Sequence, residues 1–285
     1  MTDKRPIGIF DSGLGGLTVL EAVHKVMPHE DLIYFGDSGR APYGTKSAET
    51  VRKYTFQDIN FLLSHDVKMI VIACNTASAC SLSAVKESYE WLPVQEVVGP
   101  GSAAAVKTTK NGKIGVIGTP ATISSGVYER AIGAICPDAN VFSKSCPLFV
   151  PLVEEGWWTG PVPERVAKEY LKELKKQKID TLILGCTHYP YLEKIISEYM
   201  GEGVLIINSG RVVAESIKNS LKETDMLRGG RSEGKIRYFT SDSVTKFASL
   251  GKMFLKETLS PLSAAIFVTS AMTASPSAMR GLQRG

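Results

Sequence analysis

Six short apolar runs punctuate this 285-residue chain, and each stops at a small or polar residue. Ile7-Gly8-Ile9-Phe10 ends at Asp11, Leu32-Ile33-Tyr34-Phe35 at Gly36-Asp37, and Met69-Ile70-Val71-Ile72-Ala73 at Cys74. Lys113 through Ile117 ends at Gly118-Thr119, Thr181 through Leu184 at Gly185-Cys186, and Val204 through Ile207 at Asn208-Ser209. Continuous apolar runs this short suit strands covered on both faces, the environment of a parallel sheet. Helical spacing fills the intervals. Residues 47–63 place Val51, Thr55, Ile59 and Leu62 on one stripe behind Ser47 as N-cap. Residues 163–176 open with Pro163 and gather Val166, Tyr170, Leu171 and Leu174 on one face. The helix that follows Gly16 must stop near Met27, ahead of Pro28. Strand–helix alternation predicts an α/β doubly wound fold, in which functional groups collect at the carboxyl ends of the strands. Asp11, Cys74, Thr119 and Cys186 all stand there.

The length fits about two domains, and the sequence carries a faint internal repeat. Ile7–Ser12 aligns with Ile114–Thr119, and Ile70–Thr76 with Leu182–His188, so that Cys74 matches Cys186 at an offset of 112 residues. Two related α/β units follow, with a boundary expected at Gly99-Pro100-Gly101, which has linker chemistry. The 33 Lys and Arg exceed the 29 Asp and Glu by 4, with no basic patch interleaved with aromatics, so no nucleic-acid partner is expected. No run approaches about 18 consecutive apolar residues and the N-terminus has no signal-like apolar core, so no membrane span is expected. Five cysteines, an odd number, argue for free thiols in a reducing, cytoplasmic compartment. Residues 258–279 carry no charged side chain. They read as a loosely ordered tail, or as a segment that touches a partner or a membrane surface; hydroxyls and two prolines stand against a span.

Cys74 and Cys186 each follow a buried strand and precede polar residues suited to a helix start, Asn75-Thr76 and Thr187-His188. A thiol at a helix N-terminus meets the positive end of the macrodipole, which lowers its pKa from about 8.5. Cys80, Cys136 and Cys146 read as packing residues. No C-x-x-C is present, and Cys186, His188 and the scattered His24, His29 and His65 make no zinc pattern, so no metal is expected. Two thiols facing each other across a cleft fit one task well. One removes a proton from one face of a carbon and the other returns a proton to the opposite face, which is stereoinversion by two general acid–bases. Asp11-Ser12-Gly13-Leu14-Gly15-Gly16 looks like a dinucleotide fingerprint but has Thr18 where the third glycine belongs; Asp37, 21 residues after Gly16, keeps a ribose contact in play. The alternative is a carboxylate cradle made of Ser12 and glycine N–H groups, with Asp11 binding an ammonium group, steering a thiol proton or capping the helix. The turn-rich loop Gly36–Gly44 ends in Pro42-Tyr43-Gly44, which could offer backbone N–H and a phenol to a substrate carboxylate.

At these residues the sequence closely resembles the glutamate racemases, cofactor-independent enzymes of the aspartate/glutamate racemase superfamily. The matching stretches are GIFDSGLGGLTVL (8–20), GDSGRAPYG (36–44), VIACNTASA (71–79), GVIGT (115–119), PLVEEG (151–156) and LILGCTHYPYL (182–192), with a weaker match from Thr240 through Phe254. The resemblance implies interconversion of L- and D-glutamate without a cofactor, supplying D-glutamate for bacterial peptidoglycan. It implies two similar doubly wound domains with mainly parallel sheets and an active site in the cleft between them. Residues 1–98 with 207–258 would form the first domain and 99–206 the second, leaving 259–285 unassigned. Carried onto this chain, Cys74 and Cys186 would be the catalytic acid–bases. Asp11 and His188 would assist them, and Glu154 would support His188. Asp11, Ser12, Pro42, Tyr43, Gly44, Asn75, Thr76, Thr119, Thr187 and His188 would line the substrate, and the enzyme would be a homodimer. One departure is Gly-Asp-Ser-Gly-Arg at 36–40, where the family commonly has Gly-Asp-Thr-Ala-Arg; Ser38 keeps the hydroxyl and Gly39 loosens the loop. Three other classes remain open on the residues alone: a racemase of another small acid, a binding protein without catalysis, and a nucleotide-binding oxidoreductase.

Overall fold

Each of the six apolar runs forms a strand, and the strands assemble into two separate parallel sheets. The computed structural model describes residues 3–230, 232–255 and 262–264. Strands β1 (Ile7–Asp11), β2 (Leu32–Gly36), β3 (Met69–Ile72) and β4 (Val94–Glu96) come first; β5 (Lys113–Gly118), β6 (Asn140–Ser145), β7 (Thr181–Gly185) and β8 (Leu205–Asn208) follow; β9 (Ile236–Thr240) and β10 (Leu262–Ala264) close the series. Between them run helices α1 (Leu17–Val26), α2 (Ala48–Leu63), α3 (Asn75–Ser88), α4 (Val98–Thr108), α5 (Pro120–Ser124) and α6 (Val127–Ile135). Helices α7 (Phe149–Glu154), α8 (Pro161–Lys176), α9 (Glu193–Met200), α10 (Ser209–Glu223) and α11 (Val244–Leu255) complete the set. Among the described residues, no helix is long and apolar enough to cross a membrane.

The first sheet runs β10-β9-β2-β1-β3-β4 and the second β6-β5-β7-β8, with every pairing parallel. The order β6-β5-β7-β8 repeats β2-β1-β3-β4 strand for strand, which bears out the internal repeat. Strands β1, β2, β3 and β7 are buried along their whole length, as continuous apolar runs require. The polar strand Asn140–Ser145 escapes a periodicity reading because it is an edge strand, half-exposed, with no apolar run. Strand β9 returns the chain to the first sheet by pairing with β2, Leu32 opposite Ile236 and Gly36 opposite Thr240.

Two local expectations need correction. Gly99-Pro100-Gly101 is not a linker but lies in the first turns of α4. Proline is tolerated there because the first-turn N–H groups have no helical partner, and the Glu96 carboxylate takes those of Val98 and, at 2.8 Å, Gly99. Helix α8 begins at Pro161 rather than Pro163, so that both prolines sit in its first turn. The expected start of α2 holds, with Ser47 Oγ accepting from Thr50 N at 3.2 Å, and α1 ends at Met27. The uncharged segment 258–279 lies outside the described residues, except Leu262–Ala264, which pair in parallel with Tyr238–Thr240.

Candidate active site

Strand ends bring the singled-out residues together. Asp11 is the last residue of β1 and is wholly buried; its Oδ2 accepts from Gly13 N at 3.1 Å. Cys74 follows β3 and is the N-cap of α3, with Sγ accepting from Ala77 N at 3.4 Å and donating to Ser12 Oγ at 3.6 Å. On the second sheet Cys186 follows β7, and its Sγ lies 3.8 Å from His188 Nδ1. The opposite ring nitrogen, His188 Nε2, lies 3.2 Å from Glu154 Oε1 on α7. Contacts here tie the halves: Thr187 Oγ1 donates to Asp11 Oδ1 at 3.3 Å, and Thr18 Oγ1, 2.8 Å from the Gly15 carbonyl, lies 3.2 Å from that of Thr187.

The glycine run acts here by close approach. A Cβ on Gly15 would stand 2.5 Å from His188 Nδ1 and closer still to Thr187 Oγ1. A Cβ on Gly44 would stand 2.5 Å from Thr119 Cβ. Only glycine lets the first-sheet loops pass this near to Thr187, His188 and Thr119.

Hydroxyls and an amide line the other side. Thr76, Thr119 and Thr122 form a triangle of oxygens separated by 2.9, 3.2 and 3.0 Å. Asn75 Oδ1 accepts from Tyr128 Oη at 2.7 Å, which leaves the Asn75 amide nitrogen as its free donor. Thr122 and Tyr128 were not singled out from the sequence. Thr122 had a signal, being three residues beyond an N-cap threonine whose oxygen accepts its N–H. Tyr128 had none, because only the tertiary fold brings it to Asn75. Pro42 is exposed, whereas Tyr43 and Gly44 are buried. The Tyr43 phenol is taken up by Asp37 and Asp58, so it is not the open substrate donor expected from the loop. Asp37 is likewise committed, to Arg40, Tyr43 and Ser241, which removes it as a ribose ligand.

The two sulfurs sit in unlike surroundings. Burial pushes the Cys74 thiol well above its ordinary value and the Asp11 charge adds to that, outweighing the Ala77 N–H at the helix start. The expected lowering by the helix dipole therefore does not hold for Cys74, because desolvation dominates. Cys186 does not open an α-helix; the turn after it is a 3₁₀ helix, Tyr189–Leu192. Its polar partner is the His188 ring. Burial works against charge on that ring, but hydrogen bonds to Cys186 and Glu154 prevail and carry its pKa up to about 10. His188 is thus cationic at neutral pH, a positive charge 3.8 Å from Cys186 Sγ. Burial raises the Asp11 carboxyl against the pull of His188 and of the Gly16 and Gly13 N–H groups. Cys146 is buried and Cys80 and Cys136 half-buried; all five cysteines are free. Among the described residues, no group of three or more His, Cys, Asp or Glu side chains is placed to hold a metal ion.

Residues 17–217 match the family model described as Asp/Glu/hydantoin racemase. The chain is similar to the glutamate racemase of Geobacter metallireducens, 46% identical over 251 residues that cover 88% of this chain and 93% of the relative. It is similar to that of Streptococcus gordonii, 47% identical over 259 residues covering 90% and 97%. Among solved structures, glutamate racemase from Francisella tularensis in complex with D-glutamate superposes with a TM-score of 0.87 at 39% identity, covering 94% of this chain and 99% of that one.

Proposed function

We propose that this chain, which belongs to the Asp/Glu/hydantoin racemase family, interconverts L- and D-glutamate with Cys74 and Cys186 as the two acid–bases. The observation that carries the reading is the pair of buried cysteines at equivalent strand ends of a repeated fold, joined through Asp11 and Thr187. The His188 ring lies 3.8 Å from Cys186 Sγ and serves the proton exchange at that sulfur, and for one hand of substrate Cys186 is the base and Cys74 the acid. Cys186 takes the Cα proton, becoming a thiol, and Cys74 gives its proton to the opposite face, becoming a thiolate. Substrate of the other hand runs the same steps in reverse. Negative charge that builds on the substrate carboxylate is met by N–H and O–H donors from Ser12, Asn75, Thr76, Thr187 and the Gly44 backbone. Asp11 receives the ammonium group, Glu154 holds His188, and no cofactor takes part. Residues 1–98 with 207–258 act as one lobe and 99–206 as the other. The enzyme works as a cytoplasmic homodimer that supplies D-glutamate for peptidoglycan.

The test is circular dichroism of D-glutamate with purified enzyme and no added cofactor, with solvent-deuterium uptake at Cα followed in the same sample. Cys74→Ser and Cys186→Ser each abolish full racemisation; wild-type turnover in either variant rejects the two-thiol scheme. Parallel rates on L-aspartate decide between glutamate and a shorter acid.

A further inference from the structure

A polar cluster behind the Tyr43-Gly44 segment is not used by the proposed reaction. Asp37 and Asp58 are both wholly buried, and one guanidinium serves them. Arg40 Nε donates to Asp37 Oδ2 at 2.7 Å and Arg40 Nη2 to Asp58 Oδ1 at 2.7 Å. Tyr43 Oη bridges the same two side chains, hydrogen-bonded to Asp37 Oδ2 and lying 2.8 Å from Asp58 Oδ2. Ser241 Oγ donates to Asp37 Oδ1 at 2.7 Å.

The phenol has one hydrogen and two carboxyl neighbours. It can donate to one of them only, and the other contact needs a hydrogen from the carboxyl side. Asp37 already accepts from Arg40 and Ser241 on its two oxygens, which fits an anion. Asp58 has Arg40 on one oxygen and the phenol on the other. Two buried carboxylates beside one guanidinium would also leave an uncompensated buried charge. We propose that Asp58 is held as a neutral carboxylic acid that donates to Tyr43 Oη, while the Tyr43 hydrogen goes to Asp37. Burial of Asp58, with the Asp37 charge adding and Arg40 opposing, acts in the same direction. This ordered chain fixes the Tyr43 ring and with it Gly44, which packs against Thr119 with no room for a side chain. Asp58 is therefore a positioning residue for the carboxylate-binding face; this role rests on the racemase reading, whereas the proton assignment does not.

Infrared difference spectra between wild type and Asp58→Asn, taken without substrate, read the proton directly. A neutral-acid C=O band present in wild type and lost in Asp58→Asn is expected; its absence overturns the proposal whatever the enzyme catalyses. The kinetic arm reads the positioning. Asp58→Ala removes one buried hydrogen bond and raises KM for glutamate about tenfold, with a smaller change in kcat. Asp58→Asn, which keeps a neutral donor, rescues KM to within about threefold, whereas Asp37→Asn, which removes the anion, does not. Equal damage from Asp58→Asn and Asp37→Asn overturns the proposal. If Asp58→Ala does not fold, the asparagine pair and the infrared band decide alone. If wild type fails to racemise glutamate while the band behaves as expected, the racemase reading falls and the proton assignment stands.

Discussion

Gly15→Ala is the sharpest test of how the two halves meet. Gly15 does not have a left-handed backbone, so alanine is conformationally permitted and the effect is steric alone. The new Cβ would lie 2.5 Å from His188 Nδ1 and 2.7 Å from Cε1, where real Cβ contacts essentially never fall under 3.0 Å. Either the ring or the Gly13–Gly16 loop must give by about half an ångström or more, and overpacking of this kind costs about 1–3 kcal/mol. The movement pushes the ring relative to Cys186 and Glu154 and presses on the Thr187 hydroxyl that bonds to Asp11. Misplacing a reacting group by about 1 Å costs about 10²-fold in rate, so kcat is expected to fall by about that factor. Circular dichroism of glutamate reads the rate and urea unfolding reads the stability. Gly133→Ala, inside α6 with nothing within 4 Å of the new Cβ, is the control. It is expected to gain about 0.5–1 kcal/mol and to leave turnover unchanged. A Gly15→Ala enzyme with unchanged stability and turnover within about threefold of wild type would refute the argument that close approach sets the position of His188.

Further expectations concern charge. The folded pKa of His188, about 10, lies above its ordinary 6.5. Its stabilisation is therefore complete below pH 6.5 and lost as pH rises through 10, and Glu154→Gln should flatten that slope in pH-dependent unfolding. The same variant lowers the imidazole pKa and moves the basic limb of the kcat profile to lower pH. The shift is expected to be modest because the Glu154 side chain is 40% exposed. Lys68 and Glu30 form a buried ion pair at 2.7 Å, and Lys68 also donates to the Asp3 and Met226 carbonyls. Glu30→Gln leaves a buried cation without its carboxylate and should cost about 3–5 kcal/mol in urea unfolding, whereas Glu30→Leu with Lys68→Met should cost much less. Tyr128→Phe frees the Asn75 amide to rotate and should raise KM severalfold with little loss of stability, as read by steady-state kinetics and unfolding.

The sequence disclosed the parts of this molecule that depend on local pattern. Apolar runs ending at Asp11, Cys74 and Cys186 marked buried strands and the ends where the candidate site residues collect, and the offset between the cysteines matched a real repetition of strand order. It could not disclose β4, β6 or β9, which are short or partly exposed and lack a continuous apolar signal. The reading of Gly99-Pro100-Gly101 as a linker went wrong because the tolerance of proline in a first turn depends on a cap, here Glu96, that composition does not display. The expected dipole effect on Cys74 failed for a related reason. Position at a helix start is local and legible, but the desolvation that overrides it comes from distant chain. Pairings such as Asn75 with Tyr128 and Asp37 with Ser241 join residues far apart in sequence, and no local pattern announces them.

The late return of the chain to its first sheet bears on how such a molecule is made. Helix α11 sets Phe247 against Gly36 and the Phe254 ring against His188, Tyr191 and Trp158. Ser241, just before that helix, holds Asp37. A ribosome will have translated both sulfur-bearing residues well before these supports leave its tunnel. A nascent chain stalled near residue 235 would carry every proposed proton-transfer group and still be unable to complete their surroundings, so competence should arrive only once Ser241 and α11 have emerged.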